Sequence, residues 1–289
     1  MQPLVWDRRP NDLRAPALVC AFGGWNDAGD AATRAVGYLS EALSAQRFAS
    51  LDSEEFYDYQ TTRPTIRLDD DDRRQLEWPK VEVFEARAAR APRDLILMHG
   101  VEPSMRWQTF ASQVVDLAEA LGVQLVVSLG ALLGDVPHTR PVAMSGHATD
   151  PALLAKLGVQ PTRYEGPTGI VGVLHAMCAD AGLPSATLWA AVPHYVASAP
   201  SPKATLALLR RTEALVGVSV DLSELEAAAI EYERQVGLAV ESDADIQAFV
   251  ERLERTVDSE DDDDGNVPSG EAIAREFQRF LRQRGVDED

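Results

Sequence analysis

The stretch ALVCAFGGWND, residues 17–27, is an apolar run that leads into two glycines and a polar turn. Three further apolar runs, at residues 95–98, 125–129 and 186–192, also end in turns rich in glycine, histidine or acidic side chains. Short apolar runs of this kind are typical of strands that are buried on both faces. Helical patterns lie between them, so the sequence predicts an α/β fold in which a mostly parallel sheet is flanked by helices.

The turns after these strands carry the candidate functional residues. In an open α/β sheet, ligands bind beyond the carboxyl ends of the parallel strands, which meet at one edge. The segment 164–169, before a further helix, adds two polar side chains. We therefore expect a polar pocket lined by Gly24, Trp25, Asn26, Asp27, Glu102, Asp135, His138, Arg140, Glu165, Thr168 and His194.

Three features of this edge have two open interpretations each. Glu102 and Glu165 could act as general bases, because a partly apolar cleft raises the pKa of a carboxyl group. Glu102 also lies just before a helix predicted over residues 107–121, where a carboxylate caps free backbone amides. The glycines at 166, 169 and 172 indicate either a helix N-terminus that receives an anion or a tight turn with close helix packing.

Metal and cofactor chemistry have little support in the sequence. Asp135, His138 and His147 could ligate a metal, but divalent sites need three or four ligands at defined spacing, which these residues do not provide. We expect Asp135 to hold His138 or Arg140 through a charged hydrogen bond instead. The chain also lacks the serine-elbow, zinc-protease, Cys-x-x-Cys and phosphate-loop motifs. No cofactor and no metal are expected, and no catalytic residue can be assigned.

Composition excludes some classes of partner. The formal net charge of −19 opposes binding to nucleic acid or to anionic membranes. The two cysteines, Cys20 in a predicted strand and Cys178 on the apolar side of a predicted helix, favour a reducing compartment without disulfides. Residues 1–12 contain no apolar segment of the kind found in signal peptides. These observations predict a cytoplasmic protein.

The pattern divides the 289 residues into an α/β domain at 1–220 and a helical extension at 221–289. Within the domain, alternation at 65–68 and 81–84 predicts an antiparallel addition to the sheet. Residues 134–150 lack periodicity and are expected to form a binding loop or lid. In the extension, an acidic linker is predicted at 258–269 and a last amphipathic helix at 271–284.

Several strings in order resemble the PAC2 family, which is named after a proteasome assembly chaperone. They are AFGGWNDAG at 21–29, FYDYQ at 56–60 with Arg63-Pro64, GVEPS at 100–104, DVPHTRP at 135–141, YEGPTG at 164–169 and PHY at 193–195. The resemblance covers about residues 4–285 and is to the bacterial branch with a helical C-terminal extension.

The resemblance implies a domain similar to nucleoside phosphorylase and hydrolase folds, and self-association into homo-oligomers. For chaperone relatives it also implies binding to proteasome α-type subunits. Relatives that dock on proteasomes end in a hydrophobic-Tyr-any residue tail, whereas this sequence ends in Gly285-Val286-Asp287-Glu288-Asp289. Docking by insertion of such a tail is therefore not expected.

Two functions follow from the sequence. The first is a non-enzymatic, homo-oligomeric assembly chaperone or protein-binding factor. The alternative is a hydrolase- or transferase-like enzyme for a nucleoside-like or other small polar ligand. In that case Arg140 would take an anionic group by a bidentate contact, and Glu102 or His138 would move protons. Self-association is expected from the resemblance and is a prediction of the first function.

Overall fold

In the computed structural model of the protein, the described residues are 4–51, 54–153, 159–162, 164–196 and 200–261. The strands are β1 (Leu4–Trp6), β2 (Ala17–Gly23), β3 (Gln46–Leu51), β4 (Thr65–Leu68), β5 (Arg74–Glu77), β6 (Val81–Ala86), β7 (Leu95–Val101), β8 (Leu125–Gly134), β9 (Met144–Ala148), β10 (Gln160–Pro161) and β11 (Ser185–Pro193). The α-helices are α1 (Ala31–Ala42), α2 (Trp107–Ala120), α3 (Ile170–Asp180), α4 (Pro202–Val216), α5 (Ser223–Glu241) and α6 (Ala244–Asp261).

A nine-stranded sheet organises the domain, with the strand order β1-β3-β6-β7-β2-β8-β11-β9-β10. Its centre consists of the four predicted strands, β7, β2, β8 and β11, and all three of their pairings are parallel. The strands next to this centre, β6 and β9, pair antiparallel with it. The sheet is therefore large and mixed rather than mostly parallel. The carboxyl ends of the four central strands lie at one edge, as expected.

Two apolar cores cover the two faces of the sheet. Successive side chains of a strand point to opposite faces, and in β2 the residues Ala17, Val19 and Ala21 belong to one core while Leu18 and Cys20 belong to the other. The first core is completed by α1 and α4, and the second by α2 and α3. This arrangement leaves the edge beyond the strands to the polar turns.

Both cysteines are buried and free, in the second core. Burial raises the pKa of Cys20 and that of Cys178 to about 12. Neither thiol is ionised near neutral pH, so both behave as small apolar side chains.

The structure corrects two expectations about the domain. Strand β4 does not join the main sheet but pairs with β5 in a separate two-stranded ribbon, while β6 lies between β3 and β7 as an antiparallel strand. The expected loop at 134–150 contains β9, which pairs antiparallel with β11. The strand is not evident in the sequence because its pairing with β11, rather than local alternation, stabilises it.

The helical extension begins close to the predicted position. Helix α6 continues to Asp261, so residues 258–261 of the expected linker are helical. The rest of the linker and the helix predicted at 271–284 lie outside the described residues. Within the part of the chain that is described, no helix combines the length and the apolar character needed to cross a membrane.

Candidate functional site

Glu102 follows β7 and caps a helix. Its Oε1 accepts the backbone N–H of Ile170, the first residue of α3, at 2.9 Å, and also the side-chain amide of Asn26. The backbone N–H of Trp25 donates to the same carboxylate. Burial raises the pKa of Glu102, and these three donors oppose that rise. Of the two interpretations, the geometry favours capping, but of α3 rather than of the helix that begins at Trp107.

Asp27 caps a second helix that begins at this edge, α1. Its Oδ1 accepts the backbone N–H groups of Ala32 at 2.7 Å and Thr33 at 3.3 Å, and its Oδ2 accepts the Thr33 hydroxyl. Burial raises the pKa of Asp27, and these hydrogen bonds oppose the rise. The side chain thus satisfies backbone donors that would otherwise be unpaired at the helix start.

The glycines before and within α3 permit close packing. A Cβ at Gly169 would overlap the Asn26 amide, with its Nδ2 only 2.5 Å away, and a Cβ at Gly172 would overlap Thr168. The helix N-terminus does receive an anion, as one interpretation proposed, but this anion is the Glu102 carboxylate of the chain itself. Glu165 and Thr168 are exposed. Asn26, Asp27 and Glu102 with the donors that they satisfy are called the cap cluster below.

A second cluster lies after β8 and β11. The Tyr195 hydroxyl accepts the backbone N–H of His138 at 2.8 Å and lies 2.9 Å from His138 Nδ1. Lys203 of α4 donates to the backbone oxygen of His138 and to Glu233 of α5. Burial, together with the Lys203 ammonium, lowers the pKa of His138. The imidazole is therefore neutral near pH 7 and joins the turn after β8 to the turn after β11 through Tyr195.

Arg140 joins the same turn to α6. Its Nε and Nη2 donate to the two carboxylate oxygens of Asp258, each at 2.7 Å, and its Nη1 lies 3.5 Å from Glu254. This bidentate pairing raises the pKa of Arg140 and lowers that of Asp258. The expected bidentate contact thus exists, but its acceptor is a residue of the extension. His138 and Arg140 with their partners in α4, α5 and α6 are called the extension cluster below.

Asp135 does not hold His138 or Arg140, which is a correction. Its Oδ1 lies 3.0 Å from His194 Nδ1, and the His194 ring packs edge-on against Phe249 of α6. The acidic side chain therefore faces the turn after β11, while Arg140 pairs with Asp258 and the His138 ring with Tyr195.

The eleven predicted residues therefore lie at one edge of the sheet but do not form a single group of contacting side chains. Asn26, Asp27 and Glu102 lie in the cap cluster, whereas Asp135, His138, Arg140 and His194 lie in or beside the extension cluster. Gly24 turns the chain at φ 137°, and Trp25 beside it is 40% exposed. A shared ligand pocket stays a prediction. Among the described residues, no three His, Cys, Asp or Glu side chains form a group that could hold a metal.

Sequence reasoning missed the partners that complete both clusters. Thr33, Lys203, Glu254 and Asp258 each contact a predicted residue, and Glu233 contacts Lys203. Most of them come from helices that carry many charged residues. In such a helix the sequence does not show which carboxylate is buried or forms an ion pair and which is solvated. The local signal was limited to the turn residues themselves.

We expect the Arg140–Asp258 pair to hold α6 against the domain. Helix α6 buries little apolar surface, with Val250 at 4% exposure as its one fully buried described side chain. The Arg140→Ala variant should therefore increase hydrogen exchange of the α6 amides, and the double-mutant cycle with Asp258→Ala should give a favourable coupling that falls in high salt.

The control for this prediction is Arg234→Ala. Arg234 pairs with Glu231 inside α5, so the variant removes a comparable exposed ion pair without touching the attachment of α6. Unchanged exchange in α6 for Arg140→Ala, or an equal increase for both variants, would show that the pair does not hold the helix.

Comparison with known proteins assigns the family. The sequence model of the PAC2 family matches residues 21–240. The crystal structure of a proteasome-assembly chaperone homologue from Mycobacterium tuberculosis is 48% identical, covers 81% of this chain and 99% of its own, and superposes with a TM-score of 0.75. A PAC2 family protein from Streptomyces avermitilis is 49% identical with the same coverage and TM-score.

More distant structures share the fold. An archaeal proteasome activator from Pyrococcus furiosus is 19% identical, covers 83% of this chain and 99% of its own, and has a TM-score of 0.67. Comparison with curated protein sequences gave no match. The α/β architecture with its mixed sheet and helical C-terminal part is therefore shared with proteins linked to the proteasome.

Proposed function

Since the chain belongs to the PAC2 family, we propose that it is a non-enzymatic, homo-oligomeric chaperone or protein-binding factor that acts on proteasome-type subunits in the cytoplasm. The observation that carries the proposal is the 48% identity to the proteasome-assembly chaperone homologue of Mycobacterium tuberculosis, which this chain matches over 99% of that protein's length. Similarity over the whole of a relative supports a shared role better than a shared fold alone would.

The site geometry supports a role without catalysis. Glu102, the candidate general base, is occupied by three hydrogen-bond donors at a helix start. Arg140, the candidate anion-binding residue, is occupied by Asp258. A side chain that already satisfies the fold's own polar groups is less available to a substrate, so no observation favours the hydrolase or transferase alternative.

The two-stranded ribbon β4–β5 supports a role in protein contacts. Ile66 and Leu76 are paired across the ribbon, and Leu68 and Trp78 follow at the alternate positions that share their face. These four side chains are between 45% and 62% exposed. An isolated two-stranded ribbon is marginally stable in water, and a group of exposed large apolar side chains is typical of an interaction surface. We assign self-association to this ribbon face.

We expect the Ile66→Lys/Leu76→Lys double variant to reduce the self-association of the full chain, because it places two charges on the ribbon face. Light scattering after size-exclusion chromatography should give an oligomer for the unmodified chain and a mass near 31.5 kDa for the variant. The matched control is Thr65→Lys/Gln75→Lys, which adds the same charge to the opposite face of the same ribbon.

The proposal of self-association fails if the unmodified chain stays monomeric at all concentrations. Equal masses for an oligomeric parent and the Ile66→Lys/Leu76→Lys variant would remove the ribbon face from the interface. Loss of the oligomer in both double variants would also count against this face, since it would show that added charge anywhere on the ribbon has the same effect.

A further inference from the structure

Helix α5 presents two large apolar side chains to solvent. Ile230 is 73% exposed, the highest value for such a side chain in the described part of the chain, and Leu238 is 54% exposed. They lie on the face opposite to the buried residues of the helix, which are Ala229, Tyr232, Val236 and Val240. Ala227, Ile230, Arg234 and Leu238 follow one another at spacings of three and four residues, so they form one exposed stripe, called the α5 stripe below.

The chain carries a segment beyond α6 that has an apolar face of its own. Residues 271–284 lie outside the described residues, and the sequence predicts a helix there with its apolar side chains on one side. These side chains are Ile273, Phe277, Phe280 and Leu281. A short amphipathic helix is stable in water mainly because its apolar face packs against another surface. The segment therefore needs a surface on which to dock.

The charge of this segment is opposite to that of the helices before it. Residues 271–284 contain four arginines and two glutamates, a net charge of +2 in a chain whose net charge is −19. Residues 223–261, which form α5, α6 and the turn between them, contain twelve acidic and three basic residues. The exposed residues Glu224, Glu231 and Glu241 lie on or beside the α5 stripe. The stripe thus combines apolar surface with the charge that a basic amphipathic helix complements.

The length of the connecting chain allows the segment to reach the stripe. Only two residues join α5 to α6, so the two helices run antiparallel, and Val250 of α6 belongs to one apolar cluster with Val236 and Val240 of α5. Residues 262–270 follow, and nine residues span at most about 30 Å. Helix α5 has 19 residues and is about 28 Å long. A helix over residues 271–284 would be about 21 Å long, enough to cover the stripe, which extends over about 17 Å.

We propose that residues 271–284 fold back as a helix onto the α5 stripe of their own chain. Their apolar side chains pack against Ile230 and Leu238, and their arginines lie toward the acidic residues beside the stripe. Helix α5 is then covered on both sides, by the domain on one and by the C-terminal segment on the other. This contact does not depend on whether the protein binds proteasome-type subunits.

The first test is hydrogen exchange of the full chain, measured by mass spectrometry. The amides of residues 271–284 should exchange about tenfold or more slowly than those of a free peptide with the same sequence, because a docked helix must open before it exchanges. Exchange at the rate of the free peptide would overturn the proposal.

The second test removes the apolar surface from the stripe. In the full chain with Ile230→Gln/Leu238→Gln, exchange of residues 271–284 should rise about tenfold toward the rate of the free peptide. Both positions are exposed and glutamine is a good helix former, so α5 itself should persist. The matched control is Ala228→Gln/Ala239→Gln, which adds the same side chains to another exposed face of α5 and should leave this exchange unchanged. An equal effect of both double variants, or no effect of the first, would overturn the proposal.

The third test distinguishes docking on the segment's own chain from docking on another molecule. The slow exchange of residues 271–284 should persist when the full chain is diluted. Its loss on dilution would show that the segment packs on a second copy of the chain. Slow exchange that arises only after purified proteasome α-type subunits are added would show that it packs on that partner. Either of these results would overturn the proposal, whereas the proposed binding of α-type subunits is measured separately.

Discussion

Replacing Gly100 with alanine should destabilise the protein by about 3 kcal/mol or more. Gly100 lies in β7 opposite Val81 of β6. These two strands form the boundary between the parallel centre of the sheet and its antiparallel part. A Cβ at this position would overlap the backbone oxygen of Lys80 and lie 2.7 Å from the Val81 Cα. Backbone atoms cannot rotate away as a side chain can, so the two strands would have to separate locally. Chemical denaturation of the purified variant measures the loss.

The matched control is Gly37→Ala in α1. A Cβ at Gly37 meets nothing within 4 Å, so the same substitution there should stabilise the protein by about 0.5–1 kcal/mol through helix propensity alone. The free energy of unfolding of Gly100→Ala could instead stay within about 1 kcal/mol of that of the unmodified protein. In that case the close approach of β6 and β7 does not exclude a side chain at Gly100.

Replacing Glu102 with alanine should cost about 3 kcal/mol, because it leaves the Ile170 N–H and the Asn26 amide buried without their acceptor and also removes the acceptor of the Trp25 N–H. Glu102→Gln should cost less, since its remaining oxygen can still accept from Ile170 while its amide group opposes the N–H of Trp25. Both values come from denaturant titrations at neutral pH.

The control for Glu102 is Glu119→Ala, which removes an exposed carboxylate from α2 and should change stability by less than about 0.5 kcal/mol. The capping account of Glu102 is contradicted if Glu102→Ala is as stable as this control. If Glu102→Ala kept the fold but lost an enzymatic activity that the unmodified protein has, that result would instead support the general-base interpretation.

The central strands could be read from the sequence. The run at 17–22 corresponds to β2 to within one residue at its C-terminal end, because a strand buried on both faces is apolar at every position and ends where polar residues begin. The helix predicted at 107–121 is found as Trp107–Ala120, and Gly122 with φ 68° ends it as a glycine in the left-handed conformation does.

The organisation of the site could not be read in the same way. The turns were found, but their partners are distant: Ile170 is 68 positions from Glu102, and Asp258 is 118 positions from Arg140. Sequence patterns report local periodicity, whereas these contacts depend on how helices pack over the sheet edge. The same limit applies to β9, whose pairing with β11 is a tertiary contact.

The proposed binding of proteasome-type subunits through protein contacts can be measured directly. The direct measurement is light scattering after size-exclusion chromatography of the full chain, mixed with purified α-type subunits over a range of concentrations. We predict a co-eluting complex with a mass above that of either component. Separate elution of both proteins at their own masses, at every concentration, would contradict the account.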